Sequence, residues 1–113
     1  MDIWCCQVSM MIRRWDIYWA YVKYEESDEV KRRPVLIINS TAAAIISFKM
    51  TSKDRGDEPP EYEVREWKEA GLSVQTYVRC DKPIRLSERD LDGKIGQLTE
   101  RDRLLLELRL QGN

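Results

Sequence analysis

The sequence predicts a mainly β (α+β) domain, in which a small antiparallel barrel or curled sheet is closed by one C-terminal helix. The chain has 113 residues, which is enough for one domain and too short for two ordinary ones. Short segments rich in β-branched and aromatic residues come first, and one helical pattern comes last. Because strands and helices do not alternate, a parallel sheet with crossover helices is not expected.

Six segments are predicted as strands. Residues 16–22 are aromatic and β-branched, and residues 35–38 form a continuous apolar run after Pro34 that is typical of a strand buried on both faces. Residues 42–50 form a third strand, although this length also permits a helical turn. The remaining candidates are a short edge strand at 61–64, an alternating strand at 73–80 and a strand at 94–98.

Loops and helices are predicted from charge, glycine and capping residues. The charged residues 25–32 and the Gly- and Pro-containing residues 53–60 are predicted loops. A helical turn is expected at 66–70, ended by Gly71. The final helix spans 99–111, with Thr99 as its N-cap and Asp102 as an acidic variant of a capping box.

The final helix carries leucines on two sides. At about 100° per residue, Leu104, Leu105 and Leu108 share one side, whereas Leu106 and Leu110 lie nearly opposite. One stripe faces the sheet, and the other is either wedged within the domain or covered by a partner or a second copy of the chain.

Composition excludes several classes of function. With 19 Lys and Arg against 20 Asp and Glu, the chain is not a strongly basic nucleic-acid coat protein, although a local basic patch is compatible with this balance. No apolar run reaches the roughly 18 to 20 residues that span a bilayer, and residues 1–15 lack the signal-peptide pattern. A cytoplasmic protein is therefore expected.

The absence of histidine restricts the chemistry further. It removes the commonest general base, the commonest zinc ligand and every Ser-His or Cys-His dyad. The three cysteines (Cys5, Cys6 and Cys80) do not complete a four-ligand zinc site, and we expect them to be reduced without a chemical role. An enzyme with this sequence therefore works with carboxylates, arginines and hydroxyls.

The segment 77–81 places three polar groups on one face of a strand. Strand periodicity puts Tyr77, Arg79 and Asp81 on one face and Val78 and Cys80 on the other. Arg79 is suited to holding a phosphate and Tyr77 to stacking on a base, while the positive charge of Arg79 favours an ionised Asp81. The alternative is an ordinary ion pair on a half-exposed strand.

Two further segments offer polar groups next to predicted strands. Arg32 and Arg33 precede Pro34, which favours an extended conformation of Arg33 and so defines the direction of its side chain. Thr51 and Ser52 follow the third apolar run, where their hydroxyls are able to bind a phosphate oxygen. The alternatives are solvated charges that end a strand and hydroxyls that satisfy loop backbone groups.

In this order, the segments resemble a known family. The successive blocks Asp-Ile-Tyr-Trp-Ala (16–20), Arg-Pro-Val-Leu-Ile-Ile (33–38), Thr51-Ser52 and Val-Arg-Cys-Asp-Lys-Pro (78–83) are similar to those of the MazF/PemK toxins of bacterial toxin–antitoxin pairs. Residues 67–72 and 94–98 resemble a PemK-like branch of that family. The resemblance covers roughly residues 14–110.

The resemblance implies an architecture and a set of partners. It implies an SH3-like barrel of the PemK/CcdB type with a C-terminal helix, which forms a homodimer. The domain would span 14–113, and residues 1–13 would be an extension that the family does not need. The implied partners are a cognate antitoxin and, through the antitoxin complex only, operator DNA. Met10 or Met11 is an alternative start, which an N-terminal peptide beginning at Met1 would exclude.

The resemblance also implies a reaction and a site. Such toxins cut single-stranded RNA without a metal, and leave 2′,3′-cyclic phosphate and 5′-hydroxyl ends. Arg33 would contact the scissile phosphate, Thr51 and Ser52 would position the phosphate or the 2′-hydroxyl, and Asp81 would be the general base. Arg79 would protonate the leaving group or stabilise charge. The predicted RNA-binding residues are Arg32, Ser52, Lys53 and Tyr77.

Departures from the family pattern leave alternatives. The loop before Arg33 is acidic and lacks the histidine that some members carry, and Trp15 occupies a position where glycine is usual. The chain is alternatively a toxin of the same fold that poisons a protein such as gyrase, although it lacks an aromatic residue near its C-terminus. A third interpretation is a weakly active relative that binds antitoxin and operator DNA as a repressor.

Overall fold

The computed structural model describes residues 12–23, 29–52 and 61–111. In this part of the chain, six strands form one sheet: β1 (Asp16–Lys23), β2 (Val30–Ser40), β3 (Ile45–Thr51), β4 (Glu61–Glu63), β5 (Tyr77–Leu86) and β6 (Leu91–Gln97). A short 3₁₀ turn, Glu88–Asp90, precedes β6, and helix α1, Glu100–Gln111, follows it. The strand order is β4-β5-β3-β2-β1-β6, and every pair of neighbours is antiparallel.

The predicted class, mainly antiparallel β with a C-terminal helix, is confirmed, but the sheet is not closed into a barrel. Among the described residues, β4 and β6 end the sheet and do not pair with each other. A turn at 65–71 instead packs against β6, backbone on backbone. A Cβ atom on Gly96 would lie 2.0 Å from the Ala70 carbonyl oxygen, and Gly71 has a positive φ of 97°. Only glycine fits this contact, which joins the turn to β6 without strand pairing.

The predicted elements differ from the observed ones mainly in length. β1, the short edge strand β4 and the helical turn are confirmed, the last by the 3.1 Å bond from Ala70 N–H to the Glu66 carbonyl. β2 begins at Val30, inside the predicted charged loop, because Val30 pairs with Lys23 at the end of β1. β5 begins only at Tyr77, and it continues past Pro83, which enters the pairing with β3 after an irregular stretch that tolerates proline.

Helix α1 begins as predicted, but its first turn has an additional function. The Asp102 amide donates to the Thr99 hydroxyl oxygen over 3.4 Å, as expected for an N-cap. The Asp102 carboxylate does not complete a capping box. It accepts hydrogen bonds from the Tyr62 hydroxyl (2.5 Å) and from the backbone amides of Arg65 and Glu66 (3.0 and 2.9 Å). These donors lie more than thirty-five residues away in the sequence, so local spacing did not indicate them.

The sheet buries apolar side chains on both faces. The face covered by α1 and the 65–71 turn holds the larger cluster, whose members include Ile17, Leu36, Phe48, Met50, Tyr62, Val64, Val78, Leu98 and Leu106. The opposite face holds a smaller cluster formed by Ala20, Val22, Val35, Ile37, Ile45 and Leu86. No helix within the described residues is long and apolar enough to cross a membrane.

The leucines of α1 are divided between the core and the surface. Leu106 is fully buried, and Leu110 packs against the larger cluster, so this stripe faces the sheet as one stripe was predicted to do. Leu105 is partly buried there too, whereas Leu104 and Leu108 are 58% and 65% exposed. Cover by a partner or a second copy stays a prediction.

Trp15 shows why glycine is favoured before β1. Its φ is 78°, in the left-handed region that favours glycine and that costs other residues roughly 1–2 kcal/mol. The conformation lets its amide donate to Ile37 (2.7 Å) while its carbonyl accepts from Leu98 (3.0 Å). Only 7% of Trp15 is exposed, so burial of the large ring offsets the backbone strain.

Candidate active site

Several of the predicted site residues lie at one end of the sheet. Thr51, at the end of β3, is the cross-strand partner of Tyr77, at the start of β5. Val35 pairs with Lys49, and the two strands are antiparallel. Arg33 and Thr51 each lie two residues beyond that pair in opposite chain directions, so they reach the same end of the sheet. Three segments that are distant in the sequence therefore meet there.

These side chains also share a face. Arg33 pairs with Ala20, which packs in the smaller apolar cluster on the side of the sheet away from α1. Because cross-strand partners share a face and strand residues alternate, Thr51, Tyr77 and Arg79 lie on this side as well. Val78 is fully buried on the side of α1, and Cys80 packs there, as the alternation of this strand predicts.

Strand β5 is irregular where the polar groups are concentrated. Val78 pairs with Met50 and Pro83 pairs with Phe48, so the four residues 79–82 lie opposite Lys49 alone. Such irregularities redirect side chains and are frequent next to active sites. Within this segment the Arg79 Nη2 atom lies 3.4 Å from the Asp81 Oδ2 atom, and the two side chains are 27% and 29% exposed. This ion pair is reachable from solvent without being fully solvated.

The remaining predicted residues have different surroundings. Arg33 is half-buried, and Ser52 is exposed just beyond β3. Lys53 lies outside the described residues. Arg32 lies on the same side of the sheet as α1, because strand residues alternate and Arg33 lies on the opposite side. Its Nε atom donates to Asp92 over 2.6 Å, and its guanidinium stacks 4.3 Å from the centre of the Trp19 ring. The structure therefore does not bring Arg32 together with Arg33.

Two groups on the site's face of the sheet were not predicted from the sequence. Glu61 of β4 is the cross-strand partner of Arg79, and the half-buried Lys49 of β3 is opposite the irregular segment. The edge strand at 61–64 was predicted, but its neighbour was not, because strand pairing between distant segments leaves no local pattern. Two arginines, a lysine and two carboxylates thus share a face of the sheet with Thr51 and Tyr77.

The arrangement can bind an anion and move a proton, but its cysteine is not a nucleophile. Burial raises the pKa of the Cys80 thiol to about 11, which keeps it protonated near neutral pH. Among the described residues, no group of three or more Cys, Asp or Glu side chains could hold a metal ion. Arginines bind phosphate through a planar fork of donors, and a carboxylate can act as a base.

Helix α1 holds the edge strand of the site in place. Tyr62 lies between Glu61 and Glu63 on β4, and its hydroxyl donates to the buried Asp102 of the helix. Burial, together with this hydrogen bond to a carboxylate, raises the pKa of Tyr62 far above its usual value. The hydroxyl therefore remains a donor, and the strand that faces Arg79 is anchored on its other side.

The chain matches the model of a known protein family. Residues 13–112 match the model of the "PemK-like, MazF-like toxin of type II toxin-antitoxin system". The chain belongs to this family of toxins. A search of curated protein sequences found no match.

Solved structures of the same fold include two mycobacterial proteins. The Mycobacterium tuberculosis toxin MazF-mt6 is 24% identical, with a TM-score of 0.64 over 86% of this chain and 93% of that one. An endoribonuclease in complex with its cognate antitoxin, from Mycobacterial species, is 16% identical, with a TM-score of 0.60 over 89% and 90% of the two chains. At these identities the likeness shows a shared fold.

Proposed function

We propose that this toxin is a metal-independent endoribonuclease that cuts single-stranded RNA and leaves 2′,3′-cyclic phosphate and 5′-hydroxyl ends. One observation carries the proposal: Arg33, Thr51, Tyr77 and the Arg79–Asp81 ion pair meet on one face at one end of the sheet. Family membership and the endoribonuclease of the same fold support it. The site offers cations for a phosphate, an aromatic ring for a base and a carboxylate for a proton.

The reaction requires no group that the chain lacks. Asp81 accepts the proton of the 2′-hydroxyl, whose oxygen attacks the adjacent phosphorus. The bond from phosphorus to the 5′-oxygen breaks, and that oxygen takes a proton from water. Arg33 and Arg79 stabilise the charge that develops on the phosphate oxygens. A guanidinium is a poor proton donor, so charge stabilisation is the role we assign to Arg79. Thr51 positions the phosphate or the 2′-hydroxyl.

The same proposal covers partners and location. We expect a cytoplasmic homodimer that a cognate antitoxin inhibits, and that contacts operator DNA only through the antitoxin complex. The second structure, a complex of an endoribonuclease with its antitoxin, supports the expectation of an antitoxin partner. Size-exclusion chromatography with light scattering, on the toxin alone and with its antitoxin, tests both assemblies.

The activity is tested on a long unstructured RNA in excess EDTA. Discrete cuts with 5′-hydroxyl ends, mapped by ligation and sequencing, are expected from the purified toxin freed of antitoxin. Intact RNA in this assay would contradict the proposal. If growth still stopped on expression, the target would be a protein instead. If growth continued, the protein would be a weakly active repressor subunit.

The role of Arg33 is tested by Arg33→Ala. We expect cleavage to fall by a factor of about 100 to 1,000, in line with the loss of one group that stabilises the transition state. Arg101→Ala removes an equal charge from the exposed side of α1 and serves as the matched control. Cleavage by Arg33→Ala at the rate of this control would refute the assigned role.

A further inference from the structure

Strand β4 places a carboxylate beside Arg79. Glu61 and Arg79 are direct partners in the antiparallel pairing of β4 with β5. The intervening residue Tyr62 points to the side of α1, so strand alternation puts Glu61 on the side of Arg79. The Cβ atoms of such partners lie about 4.5–5.5 Å apart, within reach of one carboxylate and one guanidinium.

Each of these side chains has a buried atom with unused hydrogen-bonding capacity. Among the described residues, the Oε2 atom of Glu61 has no hydrogen-bond donor, and the Nε atom of Arg79 has no acceptor. Both atoms are shielded from solvent, and a buried polar atom without a partner is costly. One atom is an acceptor and the other is a donor, so each provides what the other needs.

We propose that Glu61 is a positioning residue for Arg79, whose Nε–H it binds when the outer nitrogens of the guanidinium face the substrate. Its role in catalysis rests on the proposed function. A guanidinium has five N–H donors in a fixed plane. The Nε–H lies on one edge of that plane, and the end formed by the two outer nitrogens is a separate edge, so Glu61 and a phosphate are able to use different donors. Glu61 thereby fixes the plane of the guanidinium without competing with RNA.

The geometry of the existing ion pair supports this arrangement. The Arg79–Asp81 contact measures 3.4 Å, which is long against roughly 2.7–2.9 Å for a strong charge-assisted hydrogen bond. An arriving phosphate therefore displaces Asp81 from Arg79 readily. With Glu61 as a second acidic partner, Arg79 retains a carboxylate neighbour after this exchange. Asp81 is then free to take the proton of the 2′-hydroxyl.

The contact is tested by NMR on the isotopically labelled toxin in excess inorganic phosphate, which occupies the outer nitrogens of Arg79 in place of the substrate, without any cleavage assay. The Nε–H signal of Arg79 is assigned by its loss in Arg79→Lys. We expect Glu61→Ala to accelerate hydrogen exchange of this group about tenfold, because an acceptor is removed. Glu61→Gln keeps an uncharged acceptor and is expected to give an intermediate rate. Unchanged exchange in Glu61→Ala would overturn the inference.

Glu63→Ala is the matched control. Glu63 lies on the same short strand and faces the same side, but it pairs with Tyr77. It is expected to leave the exchange rate of the Arg79 Nε–H unchanged. Equal acceleration by Glu63→Ala and Glu61→Ala would mean that loosening of β4 is responsible, and would overturn the specific contact.

Cleavage kinetics then separate this inference from the proposed function. With bound RNA, Glu61→Ala is expected to lower kcat about tenfold and to change KM by less than about twofold, since it disturbs orientation rather than binding. If the unmodified toxin cuts RNA and Glu61→Ala matches it in kcat and KM, the positioning role is wrong. If the unmodified toxin does not cut RNA, the proposed function fails, and hydrogen exchange still decides whether Glu61 binds Arg79.

Discussion

Buried polar groups on the two sides of strand β4 differ in whether they have hydrogen-bond partners. On the side of α1, the Asp102 carboxylate is fully buried and accepts three hydrogen bonds, from the Tyr62 hydroxyl and two backbone amides. On the other side, Glu61 and Arg79 each keep a buried atom without a partner among the described residues. The satisfied face joins the helix to the sheet. The unsatisfied face retains binding capacity next to the residues that we assign to catalysis.

Among the substitutions that test this difference, Asp102→Ala is expected to have the largest effect on stability. The substitution leaves the Tyr62 hydroxyl and two partly buried backbone amides without their acceptor, and should lower the free energy of unfolding by about 3 kcal/mol. Urea denaturation followed by fluorescence measures it. Arg101→Ala, at the exposed neighbouring position, should change stability by less than about 0.5 kcal/mol. If Asp102→Ala lowered the free energy of unfolding by less than about 1 kcal/mol, the hydrogen bonds between Asp102 and the sheet would not be important for stability.

Arg79→Ala should give the reverse result. We expect cleavage to fall about 100-fold, whereas the free energy of unfolding should change by less than about 1 kcal/mol, because the side chain is partly exposed. Single-turnover cleavage and urea denaturation on the same preparation check both values. A large loss of stability with little loss of activity would mean that Arg79 has a structural role and not the catalytic role that we assign to it.

Tyr62→Phe tests one of the three hydrogen bonds to Asp102, because it removes only the Tyr62 hydroxyl. The ring stays in place, and Asp102 keeps its two backbone donors. The expected loss is about 1 kcal/mol, typical of one hydrogen bond. If Tyr62→Phe lowered the free energy of unfolding as much as Asp102→Ala does, the Tyr62 hydroxyl would account for the whole stabilising effect of Asp102.

The smallest effect concerns pH and Cys80, which lies between Arg79 and Asp81 but points to the side of α1. Burial raises its pKa to about 11 from an ordinary value of 9. Between pH 9 and 11 the unfolded chain releases this proton while the folded chain retains it, so stability should fall as the pH rises. Cys80→Ala should weaken this decline, measured by denaturation from pH 8 to 10. An identical decline in both proteins would contradict the assignment.

Local pattern predicts much of this fold, but not its contacts between distant segments. Aromatic and β-branched residues located β1, and alternation placed Tyr77 and Arg79 opposite Val78. Glu61 was missed as a site residue because its meaning depends on the pairing of β4 with β5. Asp102 was assigned to a capping box for the same reason, since its donors come from β4 and the following turn. The unusual Trp15 was noticed in the sequence, and the positive φ gave its physical cause.

The position of β1 has a consequence for synthesis of the toxin. β1 lies between β2 and β6, so its second neighbour is made after every residue of the proposed site. A ribosome adds about 5–20 residues each second from the N-terminus, so the nascent chain carries Arg33 and Arg79 before β6 and α1 exist. Until those elements emerge, β1 has an unpaired edge and Asp102 is not present to anchor β4. The site is therefore completed only after β6 and α1 have been made.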